Sequence, residues 1–536
     1  MTNPQDLLAA GAAHHNAGRL AEAESHYRQA LTLDPLNPDG LHLLGLIASA
    51  VGKLEVAEKL VRLAVVLRPE FPVACYNLGN IRHRRNRLEP ALSAFRQAAR
   101  LDPSPSNRVA AARTHAEVAI ELAGGLATLN RDFNAVHRRN RAEPQWRNDA
   151  LADRLGPAGR DRVLAHVAAA QDLAPNEDIV RHAGLLVFVA VGDLARGLAA
   201  MGDPAEDGNP EFGRLGAEVA WHLRRAEDAR AQYQAFIRRK CQGAAPLRPM
   251  LAEVAAAPAF ANRPQGPFPA EKRPVIVYTH YGNPDFLHHS IGQTLATNPG
   301  ARVILIGDKD NRIDGVEHRL MQDFAAAADP VVSRYLHDSN NAYCYELFCI
   351  ARWFLFLDLC RREDIAEMFL LDSDYMLFDD LSALAPRCRE KGVGFSFNSA
   401  HFSYFRRDAL EAFCRHVAGF FADGRDTGDF HRNNNSELFS DMAFIYDFQR
   451  QTPHVNFCAV EDASRFDYSI TDAEDFHCSN GVKDIRFIDG LPYAFPRDGS
   501  RPIRFRGLHF QGLTKPMMRN AFFRQSWGAA AVGAGS

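Results

Sequence analysis

Residues Asp372-Ser-Asp374 close the apolar run Met368–Leu371, within the stretch Glu367 to Asp379. The run reads as a buried strand. Side chains alternate along a strand, so two carboxylates two residues apart at its end are expected on one side. Paired carboxylates there suit one hard divalent cation with oxygen ligands. The same residues also start turns, and the spacing alone leaves both readings open.

The elements that would position this pair begin after a proline-rich stretch. Asn262 to Pro269 holds Pro264, Gly266, Pro267 and Pro269, and reads as a linker over residues 263–271. Beyond it, strand and helix patterns alternate. Pro274–Thr279 and Arg302–Asp308 are short β-branched runs. Pro284–Thr297 and the long Tyr343–Cys360 segment read as helices, the latter as amphipathic. Such alternation predicts an α/β domain with a mainly parallel sheet. Ligands of such sheets bind beyond the carboxyl ends of the strands, where Thr279, Asp308 and Asp372 would lie.

Before the linker the chain repeats. Pro35, Pro69 and Pro103 are 34 residues apart; Gly11, Gly45 and Gly79 keep the same step, as do Ala23, Ala57 and Ala91, and Ala30, Ala64 and Ala98. Large apolar groups fall in register at Tyr27, Val61 and Phe95. This period resembles the tetratricopeptide repeat, three units over residues 4–104, although Leu7, Leu41 and Cys75 replace its first aromatic and His14, Ala48 and Arg82 its second. The resemblance implies an all-α solenoid with a concave face that takes a protein or peptide partner. The Arg82-His-Arg-Arg85 run is either an acidic-peptide site or, the preferred reading, a solvated helix face. Residues 105–262 stay helical without the strict period, with helix pairs expected at Asn176–Met201 and Pro210–Lys240; the Arg- and Asn-rich segment between Gly124 and Pro157 has no evident role.

Ala351-Arg-Trp, Asp372-Ser-Asp374, Phe397-Asn-Ser and His509-Phe-Gln-Gly-Leu-Thr-Lys-Pro516 occur in this order. Together they resemble glycosyltransferase family 8, nucleotide-sugar enzymes of the GT-A fold, over residues 272–520, leaving 521–536 as a tail. That resemblance implies Asp372, Asp374 and His509 as ligands of Mn2+ or Mg2+. It also implies Lys515, Arg352, Gly512, Ser373 and Thr279 around the nucleotide diphosphate of a donor, a UDP-hexose in most members. Asn398 would face the donor sugar, and Asp441 would lie near the reacting carbon, where the family's usual Asp-Gln pair here lacks its glutamine. The expected acceptor is a glycan, a lipid-linked precursor or a protein. Asn433–Glu437 reads as a polar loop at the acceptor mouth. A metal bridging two phosphates neutralises the charge of the departing diphosphate, which explains these residue types.

Composition excludes other classes. Hydrophobic residues make up 46%, charged residues 24%, and the formal net charge is −3, so neither nucleic acid nor an anionic membrane is an expected partner. The longest apolar run, Leu185–Val191, is too short for a membrane span, and Met1 to Asp6 lacks a secretory signal. Nine cysteines without paired spacing fit a reduced cytoplasm, with peripheral attachment to the inner face of the membrane as the membrane-related option. A haloacid-dehalogenase phosphatase is set aside because Met376 follows the second aspartate where Thr or Val is needed. A zinc site at His477 and Cys478 lacks spacing. The remaining alternative is a repeat scaffold carrying a decayed transferase.

Overall fold

The computed structural model describes residues 3–133, 149–202, 209–258, 273–337, 339, 341–397, 399–422, 440–472 and 475–527, and the backbone of 134–140. The chain divides into two compact units, Met1–Arg225 and Ala226–Ser536.

The first unit is a series of antiparallel helix pairs: α1 Pro4–Asn16, α2 Leu20–Leu33, α3 Pro38–Ala50, α4 Leu54–Leu67, α5 Pro72–Arg84 and α6 Leu88–Leu101. Proline opens α1, α3 and α5 at a position where its missing N–H costs nothing. The glycines in register are contact points. A Cβ on Gly11, Gly45 or Gly79 would lie 2.4, 2.5 or 2.6 Å from Tyr27, Val61 or Phe95. The 34-residue step therefore records, in each pair, one helix resting on the large side chain of the next. Beyond the regular repeats follow α7 Pro105–Leu122, α8 Leu126–Asn140, α9 Ala150–Leu173, α10 Asp178–Ala190, α11 Leu194–Ala200 and α12 Pro210–His222. The apolar run Leu185–Val189 is buried within α10, and no described helix is long and apolar enough to cross a membrane.

The Arg82–Arg85 run is in part the expected solvated face, with His83 and Arg84 exposed, while Arg82 and Arg85 turn to a carboxylate. Arg82 and Arg87 lie 3.0 and 2.9 Å from Glu58, Arg85 also pairs with it, and Glu58 is buried. Arg84 donates to Ser49, and His83 meets Glu117 at 2.7 Å. A buried carboxylate must be paired, and here Glu58 gathers three arginines, whose charge it offsets only in part.

The second unit begins earlier than the 263–271 linker, which lies outside the described residues. Its first helix, α13 (Ala226–Cys241), buries Tyr233, Phe236, Ile237 and Cys241 within this unit. Phe236 meets Tyr281 edge-on at 5.5 Å, and the Lys240 carbonyl accepts from Lys309 N–H at 3.2 Å. The expected helix pair Pro210–Lys240 is thus divided between the two units. At the other end Ala521, Phe522 and Trp527 are buried in the core, so these residues are not a tail.

Two sheets build the unit. The larger runs β3-β2-β1-β4-β7-β6-β8, from β1 Val275–Thr279, β2 Arg302–Gly307, β3 Glu317–Leu320, β4 Glu367–Leu371, β6 Val393–Ser396, β7 Ser399–Arg406 and β8 Val455–Asn456. Strands β3, β2, β1 and β4 are parallel; β7 is antiparallel to both β4 and β6. The second sheet was not expected. It runs β12-β13-β14-β5, with β9 beside β14, from β5 Tyr375–Leu377, β9 Ser464–Phe466, β12 Ile485–Ile488, β13 Leu491–Ala494 and β14 Ile503–His509. A small hairpin, β10 Cys478–Ser479 with β11 Val482–Lys483, stands apart. Helix Tyr343–Arg362 is buried nearly all round rather than amphipathic, and it carries Arg352 inward. None of the nine cysteines is in a disulfide.

Two outcomes follow. Gly45→Ala lowers the stability of the first unit by about 1–2 kcal/mol, because overpacking outweighs the better helix propensity of alanine; an unchanged denaturation midpoint would show that the helices have room there. A fragment starting at Ala226 unfolds cooperatively, whereas one starting at Pro264 loses the buried face of α13, at about 1.5–3 kcal/mol per large side chain. Equal midpoints for the two fragments would place α13 outside the folding unit.

Candidate functional site

Strand β4 ends at Leu371 and β5 begins at Tyr375, so Asp372-Ser-Asp374 is a turn carrying the chain from one sheet to the other. The Asp372 carbonyl accepts from Tyr375 N–H at 3.0 Å, and the Asp372 N–H donates to the His401 carbonyl at 2.9 Å. Strand alternation therefore does not govern the two carboxylates, and they take different partners. Asp372 Oδ1 accepts from Arg352 at 2.7 Å. Asp374 Oδ1 faces His509 Nε2 at 3.6 Å, and its Oδ2 lies 3.1 Å from Lys515 Nζ.

Register brings His509 to Asp374. Strand β14 lies antiparallel on β5 with His509 opposite Tyr375, and Phe510 N–H donates to the Asp374 carbonyl at 2.9 Å. The His509 N–H donates to Asp467 Oδ2 at 3.3 Å. Asp467 is itself in a fully buried ion pair with Lys483 at 2.7 Å. His509 Nδ1 lies 2.7 Å from the Tyr468 carbonyl, which only accepts, so Nδ1 carries the proton. A neutral ring then aims its Nε2 lone pair at a carboxylate oxygen. Such an arrangement repels unless a proton or another cation lies between them. Burial pushes the His509 imidazole down, but the Asp374 carboxylate outweighs it and the net shift is upward.

His401 on β7 stacks on His509 with ring centroids 4.0 Å apart, and burial holds it neutral. His280, just after β1, meets Ser373 Oγ at 3.0 Å, and burial lowers its pKa to about 4. Neither histidine, nor Asp467 and Lys483, was singled out from the sequence. Each sits in a local pattern that reads as ordinary strand or loop, and only tertiary pairing gives it a role.

The other expected residues sort as follows. Arg352 is buried between two carboxylates, donating to Asp441 Oδ2 at 2.8 Å as well as to Asp372, so its charge is already committed. Asp441 opens the helix Asp441–Gln449 and is buried; burial raises its pKa, with Arg352 opposing. Thr279 is buried and donates to the Ile306 carbonyl at 3.1 Å, an internal sheet contact rather than a ligand-facing hydroxyl. Gly512 opens the 3-10 turn Gly512–Met517 with φ +55°, and nothing lies near where a Cβ would stand. Its need for glycine is conformational, not close approach. Asn398 and Asn433–Glu437 lie outside the described residues. Among the described residues no three His, Cys, Asp or Glu side chains converge as a metal site. Asp374 and His509 meet, and Asp372 is held away by Arg352.

Near Arg352 on the same helix, Glu346 is buried and accepts from Ser339 Oγ at 2.9 Å and Asn341 Nδ2 at 2.7 Å. Burial, then the Asp441 charge, raises its pKa to about 7.

In the first unit, α5, α6, α7 and α10 enclose a groove of about 550 Å³ whose lining includes Tyr76, Asn80, Arg113, Glu117 and Ile179.

The tetratricopeptide-repeat profile matches residues 7–35 and 72–105. The first unit carries tetratricopeptide repeats. Similar solved structures include PilF of Pseudomonas aeruginosa, 12% identical over 44% of this chain and 90% of that one, with a TM-score of 0.28. MamA is 16% identical over 41% and 92%, with a TM-score of 0.26. The Arabidopsis OM64 TPR domain is 20% identical over 21% and 93%, with a TM-score of 0.20. No curated protein matches the chain in sequence.

Glu346 carries a pH dependence. Its folded pKa of about 7 lies above its ordinary value of 4.5, so the folded state holds the proton more tightly. Stability is therefore full below pH 4.5 for this group and is lost as pH rises to about 7. Glu346→Gln removes this loss, about 3 kcal/mol at pH 8 from the difference of the two values. Urea titrations at pH 5 and pH 8 check it; parallel pH profiles for the wild type and the variant would refute the assignment.

Proposed function

We propose that the second unit is a GT-A glycosyltransferase, moving a hexose from a nucleotide-diphosphate donor, a UDP-sugar by resemblance, to an acceptor. The repeats, in the same reading, hold a protein or peptide partner in the groove between α5 and α7. The observation that carries the proposal is Asp374, placed between His509 Nε2 and Lys515 Nζ.

Three carboxylates, Asp372 and Asp441 on Arg352 and Asp374 on Lys515, stand against two cations. That balance leaves room for one more positive charge. The donor set of a carboxylate oxygen and an imidazole whose other nitrogen is fixed by a carbonyl fits Mn2+ or Mg2+. Asp374 and His509 would hold the ion, and Asp372 would join them only on loosening Arg352. When bound, such an ion supplies Lewis-acid neutralisation of the diphosphate. Lys515, on the 3-10 turn beside Asp374, would supply a cation to a phosphate oxygen. Arg352 and Asp441 act as positioning residues, since their mutual pairing sets where the Asp372 carboxylate stands. Ser373, held by His280, fixes the turn between the two aspartates.

The expected outcome is metal-dependent UDP binding. Asp374→Asn abolishes the metal dependence, and Lys515→Ala weakens UDP by roughly ten- to a hundredfold, the worth of a charge-assisted contact of about 1.5–3 kcal/mol, while metal binding survives. Calorimetric titration of UDP with and without Mn2+ measures both. Equal, metal-independent affinities in the wild type and both variants would overturn the donor site.

A further inference from the structure

At the end of β6 an aromatic side chain stands in the open. Strand β6 is fully buried from Val393 to Ser396, yet the next residue, Phe397, is 56% exposed. Its φ is +56°, in the left-handed region that a bulky side chain avoids. Holding a residue there is unfavourable, and such residues cluster at functional sites. The Phe397 carbonyl accepts a hydrogen bond from the Gln449 side-chain amide, which fixes the conformation. Tyr468 meets the Phe397 ring edge-on, with centroids 5.7 Å apart and an interplanar angle of 83°. The backbone carbonyl of that same Tyr468 accepts from His509 Nδ1. The aromatic pair is therefore one residue removed from the Asp374–His509 contact.

A solvent-exposed phenylalanine gains nothing from burial in the core and pays for its backbone. A ligand with an apolar face would recover both losses. We propose that Phe397 and Tyr468 form a stacking platform for a pyranose ring of the acceptor, which makes the acceptor a carbohydrate. The proposal rests on the transferase reading for its word acceptor, but the platform itself rests on the ring geometry. One face of a pyranose is a patch of C–H groups, which matches the electron-rich face of an aromatic ring. Its hydroxyls stay at the rim, where they meet water and polar groups. A perpendicular aromatic pair offers one open face and one wall, which orients such a ring rather than only holding it.

The test uses the full chain with UDP and Mn2+, and methyl glucoside and methyl galactoside as probes, by saturation-transfer NMR. Ring C–H protons of at least one glycoside take up saturation in the wild type. Phe397→Ala and Phe397→Gly lower the glycoside affinity about three- to tenfold, and Phe397→Tyr retains it. UDP affinity stays within about twofold in all three variants, since the donor contacts are untouched. Phe397→Gly also relieves the left-handed backbone, so its thermal midpoint holds or rises. A fall in that midpoint would mark Phe397 as a packing residue and overturn the proposal. So would saturation confined to the methyl aglycone, which marks an apolar-chain site, or no saturation of either glycoside. If UDP fails to bind the wild type, the transferase reading fails, while loss of ring saturation in Phe397→Ala still supports the platform.

Discussion

Everything in the second unit turns on three residues having to carry the chain from one sheet to another. Leu371 ends β4 of the large sheet, Tyr375 begins β5 of the small one, and both are buried. A segment this short has no slack. Its N–H and C=O groups are taken by His401, Tyr375 and Phe510, so the turn is fixed by both sheets at once. Two carboxylates on such a turn cannot choose their directions freely. The protein meets this constraint by supplying each with its own cation from a distant element.

The electrostatic consequence is a site prepared for positive charge. Arg352 is enclosed by Asp372 and Asp441, and Lys483 by Asp467. Buried pairs of this kind contribute little net stability, but removing one partner is costly, about 3–5 kcal/mol. Their effect here is geometric. The Asp467–Lys483 pair lies under the His509 backbone, and the Arg352 pairings hold Asp372 apart from Asp374. Lys515, more exposed than Arg352, remains the exchangeable cation.

Much of the frame was legible in the sequence because it is local. The repeat glycines faced large side chains one helix away, and the β-branched runs Val275–Thr279 and Arg302–Gly307 became adjacent parallel strands. The meeting of His509 with Asp374 was also foreseen, on resemblance. What stayed hidden depends on pairings far apart in sequence. Asp379 serves Arg504 and Arg506, Glu58 serves arginines of the next helix pair, and β14 finds β5, none of which leaves a periodic trace. Arg352 was expected at the diphosphate, and its two carboxylate partners stayed hidden because periodicity cannot show what a buried helix faces. Thr279 occupied the expected strand end, yet its hydroxyl turned to the neighbouring strand. Helix α13 was expected to pair with α12 because its small and aromatic residues fit either partner.

Strand β14 has one more consequence, for the order of events during synthesis. His509 follows Asp374 by 135 residues (509 − 374), and nothing nearer in sequence supplies the other half of their contact. Contacts of such long separation form late, because the loop between them must first be closed. On a ribosome the repeats fold as soon as they emerge, each unit needing only its neighbour. The aspartate turn, by contrast, stays half-built until the strand ending at His509 has left the exit tunnel. A nascent chain can therefore engage a partner through its repeats well before the Asp374–His509 contact exists.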